Sequence, residues 1–448
     1  MKPATVLLLA SLAVPLSAQG PSLKIGRGSS VITPFLEQPL AGYYYPRSAE
    51  GVHDDLYAKA VVFDDGAEEI VLVACDTVSV ARGAVEAARR RIEKQIGIPA
   101  GHVLISATHS HTGPEFTPDY ETFLAHRIAD AVATAHRNKA SARLSFATDT
   151  EASLPHYRRY WMKDGSVVTN PGFLNPAVVK PAGEIDPRVP VLYAEDLQGT
   201  PLLTWVNYSM HLDTVGGTWI SADYPYFLAR LLAKVKGPDM LTVFTIGAAG
   251  NINHWDVARP GPQRGLGEAQ RLGEVLSAAV IRAYTHLERT ESPRVAALSS
   301  TIRIPVQKPS AQEIAEAKKI VATPPDPSVD FTLNRVNAVK VMQAVERKGE
   351  DLAPEVQVLS VGPVAFVGIP GELFVELGTE IQKKSPFAHT VIVELANQDI
   401  GYIPTSEGFR QGAYEPTSTL MVPGSGERIA AKAIELLGEL KKAADRPR

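Results

Sequence analysis

The chain alternates short, nearly unbroken apolar runs with longer stretches in which apolar residues recur at helical spacing, a pattern that predicts an α/β protein. Residues 60–63, the turn Asp64-Asp65-Gly66 and Glu69–Cys75 predict a hairpin of two buried strands. Arg82–Ile96 predicts a helix stopped by Gly97 with Pro99 just beyond, and Val103–Ala107 predicts another strand. Strand, helix and strand in about 40 residues make a βαβ unit, whose natural setting is a sheet with helices on its faces. Further strands are expected at 202–208, 241–246, 356–361, 364–369 and 390–395, and amphipathic helices at 121–136, 267–288 and 427–443. Residues 307–351, rich in Lys, Glu and Pro, predict a helical excursion on the surface. The expected architecture is one large unit, a mixed β-sheet core flanked by helices, spanning 19–448.

Five of these strands run into unusual polar motifs. Val103–Ala107 leads to Thr108-His109-Ser110-His111-Thr112-Gly113-Pro114, and 202–208 to Met210-His211-Leu212-Asp213-Thr214. The strand at 241–246 leads to Gly250-Asn251-Ile252-Asn253-His254, that at 364–369 to Pro370-Gly371-Glu372, and that at 390–395 to Asn397-Gln398-Asp399-Ile400-Gly401-Tyr402. In open α/β sheets, sites gather where such loops converge.

With 11 histidines in 448 residues, about 0.3 accidental His-x-His pairs are expected, so the pair alone is weak and fits ordinary surface or core histidines. If the strand continues, His109 and His111 share a face. Adding His211 and Glu372 gives imidazoles and a carboxylate, donors that suit zinc with an open position. Neither HExxH, paired CxxC, Walker nor GxSxG motifs occur, and Gly265-Leu266-Gly267 lacks the later glycine of a dinucleotide fingerprint. Read from spacing, the chain is a candidate metal hydrolase.

Composition narrows the class. At 45% apolar and 21% charged the chain is neither disordered nor fibrous, and 45 basic against 49 acidic residues gives no basic surplus for nucleic acid. Lys2, an apolar run at 6–16 too short to span a bilayer, and the small pair Ser17-Ala18 read as a cleaved export signal over 1–18, hence a secreted or periplasmic protein with no transmembrane segment thereafter. Cys75 is the sole cysteine, so no internal disulfide forms. The tryptophans at 161, 205, 219 and 255 suggest an aromatic-rimmed pocket, although each could equally belong to the core.

Gly42-Tyr43, 51–59, the strand ending at Asp76, the motif from Ala107 to Pro114, Gly401-Tyr402-Ile403-Pro404-Thr405 and Tyr414-Glu415 together resemble the neutral/alkaline ceramidase family. The resemblance implies a single large catalytic domain without the family's C-terminal immunoglobulin-like domain, and hydrolysis of the amide of N-acylsphingosine. It implies one zinc per chain held by His109, His211, Glu372 and Tyr402, with His111, Arg158 and Tyr414 acting on water and substrate. Arg159 is close enough to leave the arginine's register open. Where the family carries a serine, this chain has Asn253, which cannot act as such a nucleophile. That departure keeps two other readings open: a hydrolase or lyase of the same fold acting on a polar or carbohydrate-derived substrate, and a binding protein without turnover.

Overall fold

The computed structural model describes residues 23–290, 293–324 and 332–445; the leader expected over 1–18 lies outside the described residues. Nine strands form the larger sheet. Its path runs Leu241–Ile246, Pro201–Tyr208, Arg188–Asp196, Ala140–Thr150, Lys24–Val31, Tyr57–Asp64, Glu69–Cys75 and Val103–Ala107, with Glu288–Thr290 added beside Ala140–Thr150. Most neighbours are antiparallel, but each end closes with a parallel pair, Pro201–Tyr208 with Leu241–Ile246 and Glu69–Cys75 with Val103–Ala107. A second sheet of four, Val295–Thr301, Glu355–Val361, Val364–Gly368 and His389–Val393, also ends in a parallel pair.

The two sheets pack face to face between outer helices. One core, with Leu72, Trp205, Leu359 and Phe366, fills the space between the sheets. A second lies between the larger sheet and the helices Arg82–Ile96, Pro118–Arg137, Tyr224–Lys236 and Leu266–Ala283. A third lies between the smaller sheet and the helices Val375–Lys384 and Ser425–Ala444. The mixed sheet flanked by helices is thus divided into two sheets, a helix–sheet–sheet–helix sandwich. Strands in its middle are covered on both faces, which is why they read as continuous apolar runs rather than alternating ones.

Local chemistry sets the element ends. The hairpin turn after Tyr57–Asp64 is held by the Asp64 carboxylate accepting from the Gly66 N–H (2.7 Å), with Gly66 at a φ of 86° that suits glycine. Gly97, at φ 80°, ends the helix Arg82–Ile96 as its position predicts. Thr117 and Pro118 open Pro118–Arg137, three residues ahead of the expected start. The helix expected to reach 288 stops at Ala283, because Tyr284 and Leu287 pack back onto the core and Glu288–Thr290 pairs with Ala140–Thr150. The excursion at 307–351 contains the helices Ala311–Ala322 and Leu333–Glu346, which share a small core of Ala317, Ala338 and Val341.

The larger sheet curls until its two parallel ends touch: Leu241–Ile246 contacts both Glu69–Cys75 and Val103–Ala107 and also meets His389–Val393 of the second sheet. Loops leaving these strands, which lie far apart in sequence, therefore reach one place.

Candidate metal centre

Three imidazoles meet there. His109, His111 and His211 each offer a ring nitrogen, and these atoms all lie within 4.8 Å of one another. The histidine pair does not meet by strand alternation. The strand ends at Ala107, and His109 takes a left-handed φ of 82°, so the chain turns and brings the His111 ring edge-on to that of His109 at 4.8 Å. The His111 N–H donates to the Leu212 carbonyl (3.2 Å), which ties this turn to the loop that carries His211.

Two of the rings have their tautomers fixed by the backbone. His109 Nδ1 donates to the Val78 carbonyl at 2.6 Å and His211 Nδ1 to the Ala249 carbonyl at 2.9 Å, leaving both Nε2 lone pairs turned inward. Between them stands the Glu372 carboxylate, its Oε2 at 3.5 Å from His109 Nε2 and 3.2 Å from His211 Nε2. That oxygen is buried without a hydrogen-bond partner. Arg158 Nη1 and His111 Nε2 each approach one of the imidazole lone pairs, but the carboxylate oxygen has no donor, and a divalent cation would satisfy that oxygen and both lone pairs at once. The donor set thus fits the expected metal. His111 Nε2, 3.3 Å from His109 Nε2, borders the same point.

Electrostatics follow the geometry. Burial alone would raise Glu372, but the facing His109 and His211 hold its carboxyl well below the ordinary range. Burial works against the His109 imidazolium, yet Glu372 outweighs it and its pKa is raised. Burial, then the Arg158 charge, pushes His211 down to about 3, and burial lowers His111 to about 4.

Arg158 closes one side. Its Nε donates to Glu415 (2.9 Å) and its Nη2 to the Gly250 carbonyl (2.7 Å), which leaves Nη1 at 3.2 Å from His211 Nε2. Arg159 points the other way, into a buried nest of Glu415, Gln411 and the carbonyls of Gly408 and Gly412, so of the two arginines Arg158 is the one at the site. Tyr402 lies under Arg158, whose Cζ is 5.1 Å from the ring centre, and stacks edge-on against Tyr414 at 5.3 Å. The Tyr414 and Tyr44 hydroxyls are 3.2 Å apart.

A cavity of about 240 Å³ opens onto this group, its lining including His111, Arg158, His211, Tyr402 and Tyr414 together with Tyr43, Asp213, Asn253, His254, Trp255 and Arg264. Asn253 is held at both ends of its amide, donating to Asn170 (2.8 Å) and accepting from the Trp255 N–H (3.0 Å). The cavity is aromatic-lined, but by Tyr43, Tyr44, Tyr402 and Tyr414 with a single tryptophan rather than by the four tryptophans. Trp255 alone of the four lines the cavity; Trp205 packs on Phe366 in the inter-sheet core, Trp161 lies in a small three-stranded sheet, and the half-exposed Trp219 stacks on His53. Asp256 caps its own turn through the Ala258 N–H (3.0 Å).

Other residues carry the site without having been picked out as candidates from the sequence, although Asp213 and Gly250 belong to its polar motifs. Glu394, fully buried, accepts from the N–H groups of Ala249 (3.1 Å) and Leu373 (2.9 Å), bracing at once the loop that orients His211 and the one that carries Glu372. Asp213 receives the Tyr43 hydroxyl, pairs with Arg264 (3.3 Å) and stands 3.8 Å from His111 Nδ1. Gly250 has no side chain for a spatial reason: a Cβ there would collide with the Glu372 carbonyl. An acidic residue ending an apolar run, as in Val391-Ile392-Val393-Glu394, is the one signal that could have pointed to Glu394.

Fold and site together define a sandwich-fold protein with a histidine cluster able to hold a metal. No family model and no curated protein matches the sequence. Among solved structures, the chain is similar over 94% of its length to 75% of the neutral ceramidase from Pseudomonas aeruginosa, at 17% identity and a TM-score of 0.75. A ceramidase complexed with C2 matches 94% of the chain over 76% of its own, at 16% identity and a TM-score of 0.74. The chain has the neutral ceramidase fold.

Proposed function

We propose that this chain is a metal-dependent amide hydrolase holding one divalent cation, zinc by donor type, on His109, His211 and Glu372, with Tyr402 completing the set. The observation that carries the reading is the buried, partnerless Glu372 oxygen between two imidazoles whose tautomers are fixed from behind. A cation held there supplies Lewis acidity, polarising the scissile carbonyl and acidifying water. The remaining work falls to the chain. Arg158, fixed through Glu415 and Gly250, presents one guanidinium nitrogen to the oxyanion that forms when water adds to the amide carbon, and Tyr414 donates from the same side. His111, kept neutral by burial, takes the proton from the attacking water and passes it to the leaving nitrogen as the C–N bond breaks, giving a carboxylic acid and an amine. Asn253, with both ends of its amide engaged, shapes the wall beside these groups.

For the substrate, N-acylsphingosine is the reading that the resemblance and the shared fold support. A second reading, a polar or carbohydrate-derived amide, is favoured by the cavity itself: among the described residues, no aliphatic side chain lines it. Export through a leader at 1–18 accords with this role, and no described helix is long and apolar enough to cross a membrane. The test is amine release from a short-chain ceramide and from short N-acyl amines by zinc-loaded protein, with a chelator control. Turnover lost with chelator and restored by zinc is expected; turnover unaffected by metal removal would overturn the reading.

A further inference from the structure

Two neighbouring residues of the cavity lining hold polar atoms whose needs are complementary. His254 is 2% exposed. Its Nε2 lies 2.8 Å from the Gln263 carbonyl, an acceptor, so Nε2 carries the proton and Nδ1 presents a lone pair. Burial lowers the His254 pKa to about 4, consistent with a neutral ring. That Nδ1 is buried and receives no hydrogen bond; next to it in the chain, Trp255 Nε1, a donor only, is buried and makes none. The two rings stand edge to face, 6.3 Å between centres, and both line the cavity.

An acceptor in need of a donor and a donor in need of an acceptor cannot both be served by a carboxylate or phosphate, which offers no proton to His254. Alkyl groups serve neither. Hydroxyl groups serve both, since each donates and accepts. The flat face of Trp255 is occupied, with the Arg264 guanidinium 4.8 Å from its centre and Phe173 tilted against it at 5.3 Å, so recognition here proceeds through the ring edge rather than by stacking. Around this pair the wall continues with Asn170, Asn253 and Asp213, groups that hydrogen-bond hydroxyls.

We propose that His254 and Trp255 form a hydroxyl-binding subsite, and that the substrate is a short N-acyl amine whose amine half carries hydroxyls, of the amino-sugar or amino-polyol class. This rests on the amide-hydrolase reading for the position of the scissile bond, though binding at the subsite is measurable without turnover. The experiment compares zinc-loaded wild type with Trp255→Phe, which keeps the ring and removes its N–H, by ligand-observed NMR titration of N-acetylglucosamine and of N-acetylcyclohexylamine, its analogue without hydroxyls. Hydrolysis of both compounds and of an acetanilide is followed in parallel. Wild type is expected to bind the hydroxylated compound at least tenfold more tightly, and Trp255→Phe to lose about 3- to 10-fold of that preference, the range for one neutral hydrogen bond. Equal binding of the two compounds, no binding of either, or a preference untouched by Trp255→Phe would overturn the subsite. If acetanilide is still hydrolysed in a zinc-dependent way, the hydrolase reading survives that failure. Preference without any zinc-dependent turnover would sustain the subsite and overturn the hydrolase.

Discussion

Glu415 offers a sharp test of how the site is held. Its carboxylate is fully buried and accepts from Arg158 (2.9 Å), Arg159 (2.5 Å) and the Thr169 hydroxyl (2.9 Å). Glu415→Gln keeps the volume and one acceptor but removes the charge shared by two buried guanidiniums and turns an NH₂ group toward one of them. Removing one partner of a buried ion pair typically costs about 3–5 kcal/mol, because the remaining charge is stranded. With two arginines stranded here, a loss near 4 kcal/mol is expected, a fall in Tm of about 4 °C at roughly 1 °C per kcal/mol for a chain of this size. Burial alone would raise the Glu415 pKa, but Arg158 and Arg159 hold it below its ordinary 4.5. A depressed carboxylate contributes its full stabilisation above the unfolded-state pKa and loses it as pH falls through the folded one. Thermal and urea unfolding of wild type and Glu415→Gln should therefore show a constant gap from pH 8 to about 5 that closes in more acid solution. Amide turnover should fall at least tenfold with metal content unchanged, since Arg158 loses the group that aims it. A stability change below about 1 kcal/mol, or a gap that widens in acid, would refute the reasoning.

Other outcomes follow from the same geometry. Glu394→Ala should cost about 2–4 kcal/mol by stranding the Ala249 and Leu373 N–H groups, whereas Glu394→Gln, which keeps an acceptor, should cost much less; equal losses in urea unfolding would count against the bracing role. Gly42→Ala forces a side chain into a φ of 98° with its Cβ 3.0 Å from the His111 ring, so turnover should drop while zinc is retained, and an unchanged kcat would show that the His111 position does not matter. His111→Ala should keep the metal and lose at least a hundredfold in kcat, as expected of a general acid–base; loss of zinc in that variant would move His111 into the ligand set.

Much of this architecture is legible in the sequence wherever burial is two-sided. Glu69–Cys75, Val103–Ala107 and Leu241–Ile246 are mostly apolar, broken only by Glu69, Ser106, Thr242 and Thr245, because both faces are covered, and their bounds are predicted to the residue. Ala140–Thr150 escapes notice because its small and polar residues, with alternating burial, suit a surface strand that needs partners to be recognised. The end of the strand His389–Val393 is overrun by prediction because Leu395 and Asn397 adopt left-handed φ values of 53° and 64°, which apolar spacing does not encode. Site residues stand out when they sit in unusual clusters just beyond strands, as His109, His111, His211 and Glu372 do. Supporting groups do not. Glu394 meets the Ala249 N–H across 145 residues of chain and Arg158 meets Glu415 across 257, so their purpose is visible only once the curled sheet has joined its ends.

The central claim is a cation held by two imidazoles and a carboxylate, and bound metal measures it most directly. Purified wild type, stripped by chelator and dialysed against zinc, should hold one zinc per chain by elemental analysis, while His109→Ala, His211→Ala and Glu372→Ala, each folded by circular dichroism, should hold none. Wild type that binds no zinc, or folded variants that keep the full complement, would contradict it.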